Sequence, residues 1–190
     1  MPVNIKIFIE GEEEIGSPTM SDFIEQNREA LEADVIVIAD SANVKIGVPT
    51  ITTTLRGLVD AIIEVDQPMR PIHSGVGGGV VPDAFMVLSR IIASFHNEKG
   101  ELMIEGLTST DMQVTELEES FLKKMLGSDE INLFDTESIS KRLWLEPALD
   151  VLAIDAPPVK DAVNLVIPKA SAKISLRLPP TEDPAVSYTH

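Results

Sequence analysis

Apolar positions follow two different rhythms along this chain, and the change between them divides it. Up to Pro49, short apolar runs flank a helical pattern. Val3 to Ile9 and Val35-Ile36-Val37-Ile38 read as strands, and Met20, Phe23, Ile24, Ala30 and Leu31 recur at helical spacing between them. Ser17-Pro18 suits the start of that helix, with Ser as cap and Pro at the first helical position. A strand on either side of one helix is a βαβ unit, which predicts two parallel strands. Gly47-Val48-Pro49 reads as a boundary.

Beyond it the rhythm becomes alternation. From Leu55 to Asp66, one face carries Leu55, Gly57, Val59, Ala61, Ile63 and Val65. The other carries Arg56, Asp60, Glu64 and Asp66, interrupted by Leu58 and Ile62. This predicts a long half-buried strand of an antiparallel-type sheet. Pro82-Asp83 then opens a helix with Ala84, Val87, Leu88, Ile91, Ile92 and Phe95 in one stripe, closed by Asn97 to Gly100. Residues 98–148 hold a predicted surface helix from Asp111 to Leu126 and a shorter one from Ser138 to Leu145. Leu149 to Ile154 and Ala170 to Leu178 follow as strands, the second alternating inward Ala170, Ala172, Ile174, Leu176 and Leu178 with outward Ser171, Lys173, Ser175 and Arg177. Strand, helix, strand, strand is three quarters of a ferredoxin-like βαββαβ layer. Glu182-Asp183-Pro184-Ala185 begins a further helix that the remaining residues to His190 cannot complete. The fold class is therefore α/β: a partial α/β sheet over 1–49, then an incomplete ferredoxin-like domain over 50–190 with a helical insertion at about 98–148.

Composition narrows the partners. Of 190 residues, 44% are hydrophobic and only 4% aromatic, so aliphatic packing makes the core. A net charge of -16 argues against nucleic acid and anionic membrane as partners. No uninterrupted apolar stretch is long enough for a membrane helix, and no basic-then-apolar amino terminus suggests secretion. The absence of cysteine leaves oxygen and imidazole as the available metal donors and fits a cytoplasmic protein.

Candidate chemistry gathers after the two early apolar runs. Glu10-Gly-Glu-Glu-Glu-Ile-Gly-Ser17 crowds acids at the end of the first, and Asp40 ends the second. Carboxylates that repel one another invite a cation, and strand ends are where an open α/β sheet keeps its chemistry. A solvated acidic loop is the simpler reading of the same residues. Gly75 and Gly77 to Gly79 lack the following Lys-Ser/Thr of a phosphate loop, so they read as a flexible connection into the Pro82 helix. His96 reads as a favourable charge at a helix end, and His190 as a terminal residue without a role.

Six segments in order then carry a resemblance: Glu10 to Ser17, Ile38-Ala-Asp-Ser41, Thr53-Thr-Leu-Arg-Gly57, His73-Ser-Gly75, Asn164-Leu-Val-Ile-Pro168 and Ser175-Leu-Arg-Leu178. Together they resemble the two-zinc metallopeptidase family of aminoacylase, carnosinase and carboxypeptidase G. Arg142-Leu-Trp144 points to its bacterial dipeptidase branch. The resemblance implies a zinc-binding α/β domain with an inserted lid that also forms a homodimer, acting on a short peptide or N-acyl amino acid. It implies Glu13 as general base toward the attacking water, and Glu14 and Asp40 as terminal ligands of the two zinc ions. It implies His73 polarising the scissile carbonyl across the dimer, Asn164 contacting substrate and Arg177 receiving the substrate carboxylate. A loop histidine and a solvated sheet arginine are the simpler readings of His73 and Arg177.

The family pattern also contains a His-x-Asp upstream of the acidic motif and a histidine far downstream, and neither lies in these residues. This predicts a central fragment of a dipeptidase, inactive by itself. Two alternatives stay open: a non-catalytic dimerisation module, or an acidic domain that binds a hard divalent cation without catalysis.

Overall fold

The computed structural model describes residues 3–40, 43 and 47–182, and the chain divides into two units, Met1–Thr52 and Thr53–His190. The expected helix after Glu182 and His190 lie outside the described residues, as does Ser41 of the second motif.

In the first unit, a 3-10 turn at Glu13–Ile15 precedes two short helices, α1 (Met20–Gln26) and α2 (Arg28–Leu31). The helix begins later than the Ser17-Pro18 pair predicts. Ser17 has φ +50°, a left-handed backbone outside the extended range typical of a cap, and Thr19 stands at the cap position instead. The two runs expected as strands form no ladder. Among the described residues neither Val3 to Ile9 nor Val35 to Ile38 receives a backbone hydrogen bond, and Ile5, Ile7, Ile9, Ile36 and Ile38 stand exposed. A strand exists only against a neighbour that takes its N–H and C=O groups, and none of the described residues offers one. What ties the first run down is side-chain contact. Phe8 stacks on Phe23 with ring centroids 5.0 Å apart, and Lys6 Nζ donates to the Glu32 carbonyl at 2.6 Å.

The second unit realises the alternating pattern. Its elements run β1 (Gly57–Asp66), β2 (Ile72–His73), α3 (Ser74–Gly77), α4 (Ala84–Ser94), α5 (Glu119–Leu126), α6 (Ile139–Trp144), β3 (Ala148–Asp155), β4 (Leu165–Val166) and β5 (Lys169–Leu178). The main sheet has the order β1-β5-β3, with β5 antiparallel to both neighbours. β1 and β3 are thus parallel with β5 slotted between them, the split βαβ of a ferredoxin-like layer, as expected. Val59, Leu149, Ile174, Leu176 and Leu178 form one buried cluster, backed by Phe95, Leu102, Ile104 and Leu107. Leu55 precedes β1 and is exposed, outside the inward row it was expected to join.

α4 covers the same face. Asp83 caps it by accepting from the Met86 N–H at 3.1 Å, and Ala84 and Leu88 pack on Ala170 and Ala172. The alanines on β5 let the helix approach closely. Among the described residues no helix is long and apolar enough to cross a membrane.

Two segments depart from expectation for local reasons. The helix predicted from Asp111 exists only from Glu119. Ahead of it, the Leu117 N–H donates to Ser140 Oγ at 2.7 Å, and that hydroxyl donates to the Thr115 carbonyl at 2.9 Å. Glu116 accepts from the Ser138 hydroxyl and, at 3.2 Å, from the Ser140 N–H. Groups bonded to the start of α6 cannot also serve an i to i−4 helix ladder. The glycine stretch, expected as a flexible connection, winds into α3. A Cβ on Gly77 would come within 2.7 Å of Ile72 Cγ2, so the absence of a side chain lets the turn close there. Arg142 then fastens the insertion: it donates to the Gly100 carbonyl at 2.5 Å and lies 4.8 Å from the Phe134 ring centre.

Candidate functional site

In the acidic turn, one glutamate builds the structure and two are free of it. Glu12 accepts from the Thr19 N–H at 3.3 Å and the Thr19 hydroxyl at 2.6 Å. Gly16, with φ +84°, closes the turn through its N–H to the Glu13 carbonyl. Glu13 and Glu14 are exposed successive residues of a 3-10 turn, so their carboxylates project about 120° apart. One can hold a cation while the other stays free for a proton. Nearby in sequence, one carboxylate oxygen of Glu10 is buried with no hydrogen-bond partner among the described residues. Asp40 is exposed beyond the second apolar run.

The donor set does not by itself make a metal centre. A catalytic zinc takes about three protein ligands. Among the described residues no group of three or more His, Asp or Glu is placed to hold an ion. Glu14 and Asp40 remain single candidate donors.

In the second unit the fold brings His73 and Asn164 together from distant parts of the chain. β2 pairs with β4 so that His73 faces Leu165, and the Ser74 N–H donates to the Asn164 carbonyl at 2.9 Å. His73 also caps α3: its Nδ1 accepts from the Gly75 N–H at 3.0 Å. The neutral ring therefore carries its proton on Nε2, leaving that atom as a donor on an exposed side chain.

Arg177 lies elsewhere. It sits near the far end of β5, on the open face opposite α4, while β4 leads into the other end at Lys169. At about 3.3 Å per residue the strand from Lys169 to Arg177 covers roughly 26 Å. One copy of the unit thus places His73 and Asn164 at one end of β5 and Arg177 at the other.

That open face is a graded charge surface. Lys173 pairs with Asp60 at 3.1 Å, and Lys169 stands 3.6 Å from Glu64 and 3.7 Å from Asp66. Hydrogen bonds from Lys173 and then Ser175 hold the Asp60 carboxyl below its usual range. Arg56, half-buried just before β1, has its pKa lowered, first by burial and then by the charge of Arg177, with Asp150 acting the other way. The proximity of Arg56 to Arg177 was not part of the sequence expectation. Its signal was there, since both belong to outward-facing rows, but their relation needs the β1–β5 register.

Residues 53–186 match the peptidase dimerisation domain family. The chain is 38% identical over 188 residues to the cysteinylglycine-S-conjugate dipeptidase of Corynebacterium striatum, covering 96% of this chain and 41% of that protein. It is 31% identical to the beta-Ala-His dipeptidase of Homo sapiens, covering 95% of this chain and 38% of that protein. Among solved structures it resembles the M20 family metallo-carboxypeptidase Sso-CP2 of Sulfolobus solfataricus, with a TM-score of 0.71 at 28% identity, over 95% of this chain and 44% of that one. The dipeptidase Dug1p of Saccharomyces cerevisiae shares the fold, with a TM-score of 0.73 at 22% identity, over 95% of this chain and 40% of that one. The chain spans about 40% of the length of these two dipeptidases.

Proposed function

The chain belongs to the peptidase dimerisation domain family, and from that membership we propose that it is the central part of a metal-dependent hydrolase of dipeptides or N-acyl amino acids. Residues 50–190 are its lid and dimerisation domain, and residues 1–49 are part of its metal-binding domain. Relatives named as Cys-Gly metallodipeptidases support the reaction class. Zinc is the proposed metal, supplying a polarised water when bound; Glu14 and Asp40 would each give one ligand beside donors from outside this chain. Glu13 takes the proton of the attacking water, and His73 donates from Nε2 to the carbonyl oxygen of the scissile bond. Asn164 contacts the substrate beside it, and the Arg177 guanidinium takes the substrate carboxylate. The absence of cysteine favours a cytoplasmic setting.

One observation carries the dimeric form of this reading: within one copy, His73 and Arg177 lie toward opposite ends of β5. A dipeptide is too short to touch both in that arrangement, so the His73 and Asn164 of one copy serve the Arg177 of another. The surface for such pairing is available. β3 is an edge strand whose outer backbone is unpaired among the described residues, and Leu152 beside its bulge is 55% exposed.

The test is complementation in the assembled, metal-loaded protein. His73→Asn and Arg177→Gln should each abolish dipeptide hydrolysis. Random mixing should return about a quarter of parent turnover, because half the dimers are mixed and each of those holds one intact site. No recovery on mixing would rule out the shared site. Glu13→Gln should slow turnover by about 10²–10⁴-fold with metal content unchanged. By itself the 190-residue chain should bind zinc weakly and turn over no peptide; tight binding of two ions with turnover would overturn the fragment reading.

A further inference from the structure

Four cations stand in the outward rows of β1 and β5, and they fall into two kinds. Lys169 and Lys173 are ion-paired to acids on β1. Arg177 and Arg56 make no hydrogen bond or ion pair among the described residues. Register explains the difference. Arg177 is flanked by Leu58 on β1 and Ala148 on β3, neither of which offers a side-chain acceptor. Of the two diagonal acids, Asp60 on β1 is taken by Lys173, and Asp150 on β3, opposite Ser175, forms no ion pair with either arginine among the described residues.

Arg56 lies one residue before the ladder begins at Gly57, which pairs with inward Leu178. Alternation therefore sets it on the open face with Leu58, diagonal to Arg177, at a separation of about 7–8 Å between Cβ atoms that long side chains can span. Its partial burial and the nearby charge of Arg177 both disfavour its cationic form, with only Asp150 opposing them. Two unpaired guanidiniums held together, one of them partly desolvated, are poised for an anion that bonds to both.

We propose that Arg56 is a second binding residue of the carboxylate site, so that the terminal carboxylate of a peptide bridges the Arg56 and Arg177 guanidiniums. This rests on the reading of Arg177 given above and extends it. A carboxylate has about four lone-pair directions, enough for both forks. The consequence is selectivity for a free carboxyl end over its neutral amide.

The test needs neither metal nor turnover. The isotope-labelled 190-residue chain is titrated with glycylglycine and, in parallel, with glycylglycinamide. The arginine Nε–H signals are followed by NMR and assigned by their loss in Arg56→Gln and Arg177→Gln. Glycylglycine should move both signals along one saturation curve and the amide should move neither. Each Gln variant should weaken binding by about tenfold or more. Arg56→Lys, which keeps the charge but loses the fork, should bind with intermediate affinity, and the backbone amide spectrum reports whether each variant keeps its fold. If Arg56→Gln binds like the parent while Arg177→Gln does not, the role of Arg56 is refuted and that of Arg177 stands. If neither substitution weakens binding, or neither parent signal moves, both assignments fall.

Discussion

Two segments of this chain place apolar residues at every second position and end in opposite conditions. In the first, Val3, Ile5, Ile7 and Ile9 hold those positions, with Phe8 between them apolar as well; in the other, Ala170, Ala172, Ile174, Leu176 and Leu178 alternate with polar residues throughout. Yet Ile7 is 81% exposed and forms no ladder, while Leu178 is fully buried at the end of a paired strand. Composition does not separate them, since the exposed run is the more hydrophobic. What separates them is company: β5 has a strand on each side and α4 on one face, while among the described residues the first run has the Phe8 stack on Phe23 and the Lys6 contact to Glu32. A period-two apolar pattern proposes a strand, and a paired edge and a covered face make it one.

The sharpest way to break the comparison is to remove a side chain that the company protects. Leu178→Ala should cost about 2–5 kcal/mol, read from chemical denaturation of the chain. A loss below that of a typical exposed substitution would mean that the β5 core is not where the stability lies. Next comes the hydroxyl that joins the insertion to α6. Ser140 is fully buried and bonds to both Leu117 and Thr115, so Ser140→Ala should cost about 1–3 kcal/mol by stranding the Leu117 N–H. An unperturbed amide signal for Leu117 in that variant would contradict the account of why the Asp111 helix fails.

A smaller effect is visible only in acid. Glu116 has its pKa lowered, first by the Ser138 hydroxyl and then by backbone N–H groups of Ser140 and Ile139. A folded-state pKa below the unfolded one means the stabilisation is complete above the unfolded carboxylate pKa. It is lost as pH falls through the folded value. Glu116→Gln should therefore flatten the acid limb of the stability profile and leave its alkaline side unchanged; an identical acid limb would refute the assignment. Smallest of all, Ile7→Ala should shift stability of the chain by no more than about 0.5 kcal/mol. A loss of several kcal/mol at Ile7 would show that the first run is packed after all.

Legibility followed the range of the forces involved. The faces of β1 and β5, the Asp83 cap and the Ser138 start of α6 were readable because each depends on residues a few positions apart. The helix from Asp111 was misread because its first turns are diverted to Ser138 and Ser140, more than twenty positions away. Among the candidate site residues, Glu13, Glu14, Asp40, His73, Asn164 and Arg177 could each be singled out from motifs. Their spatial relations could not. No periodicity predicts that Asn164 lies against Ser74, or that Arg56 reaches Arg177 across a strand pair.

The sequence by itself determined which residues face inward on the long strands, where the acids cluster and which family the motifs resemble, because side-chain alternation and turn chemistry act within a few residues. Only the tertiary structure decided which apolar run becomes a strand, that His73 and Arg177 lie toward opposite ends of β5, and that two arginines share an open face without being ion-paired among the described residues. Those outcomes depend on pairing between distant segments, and hydrogen bonds and charges there depend on a register that no local pattern contains.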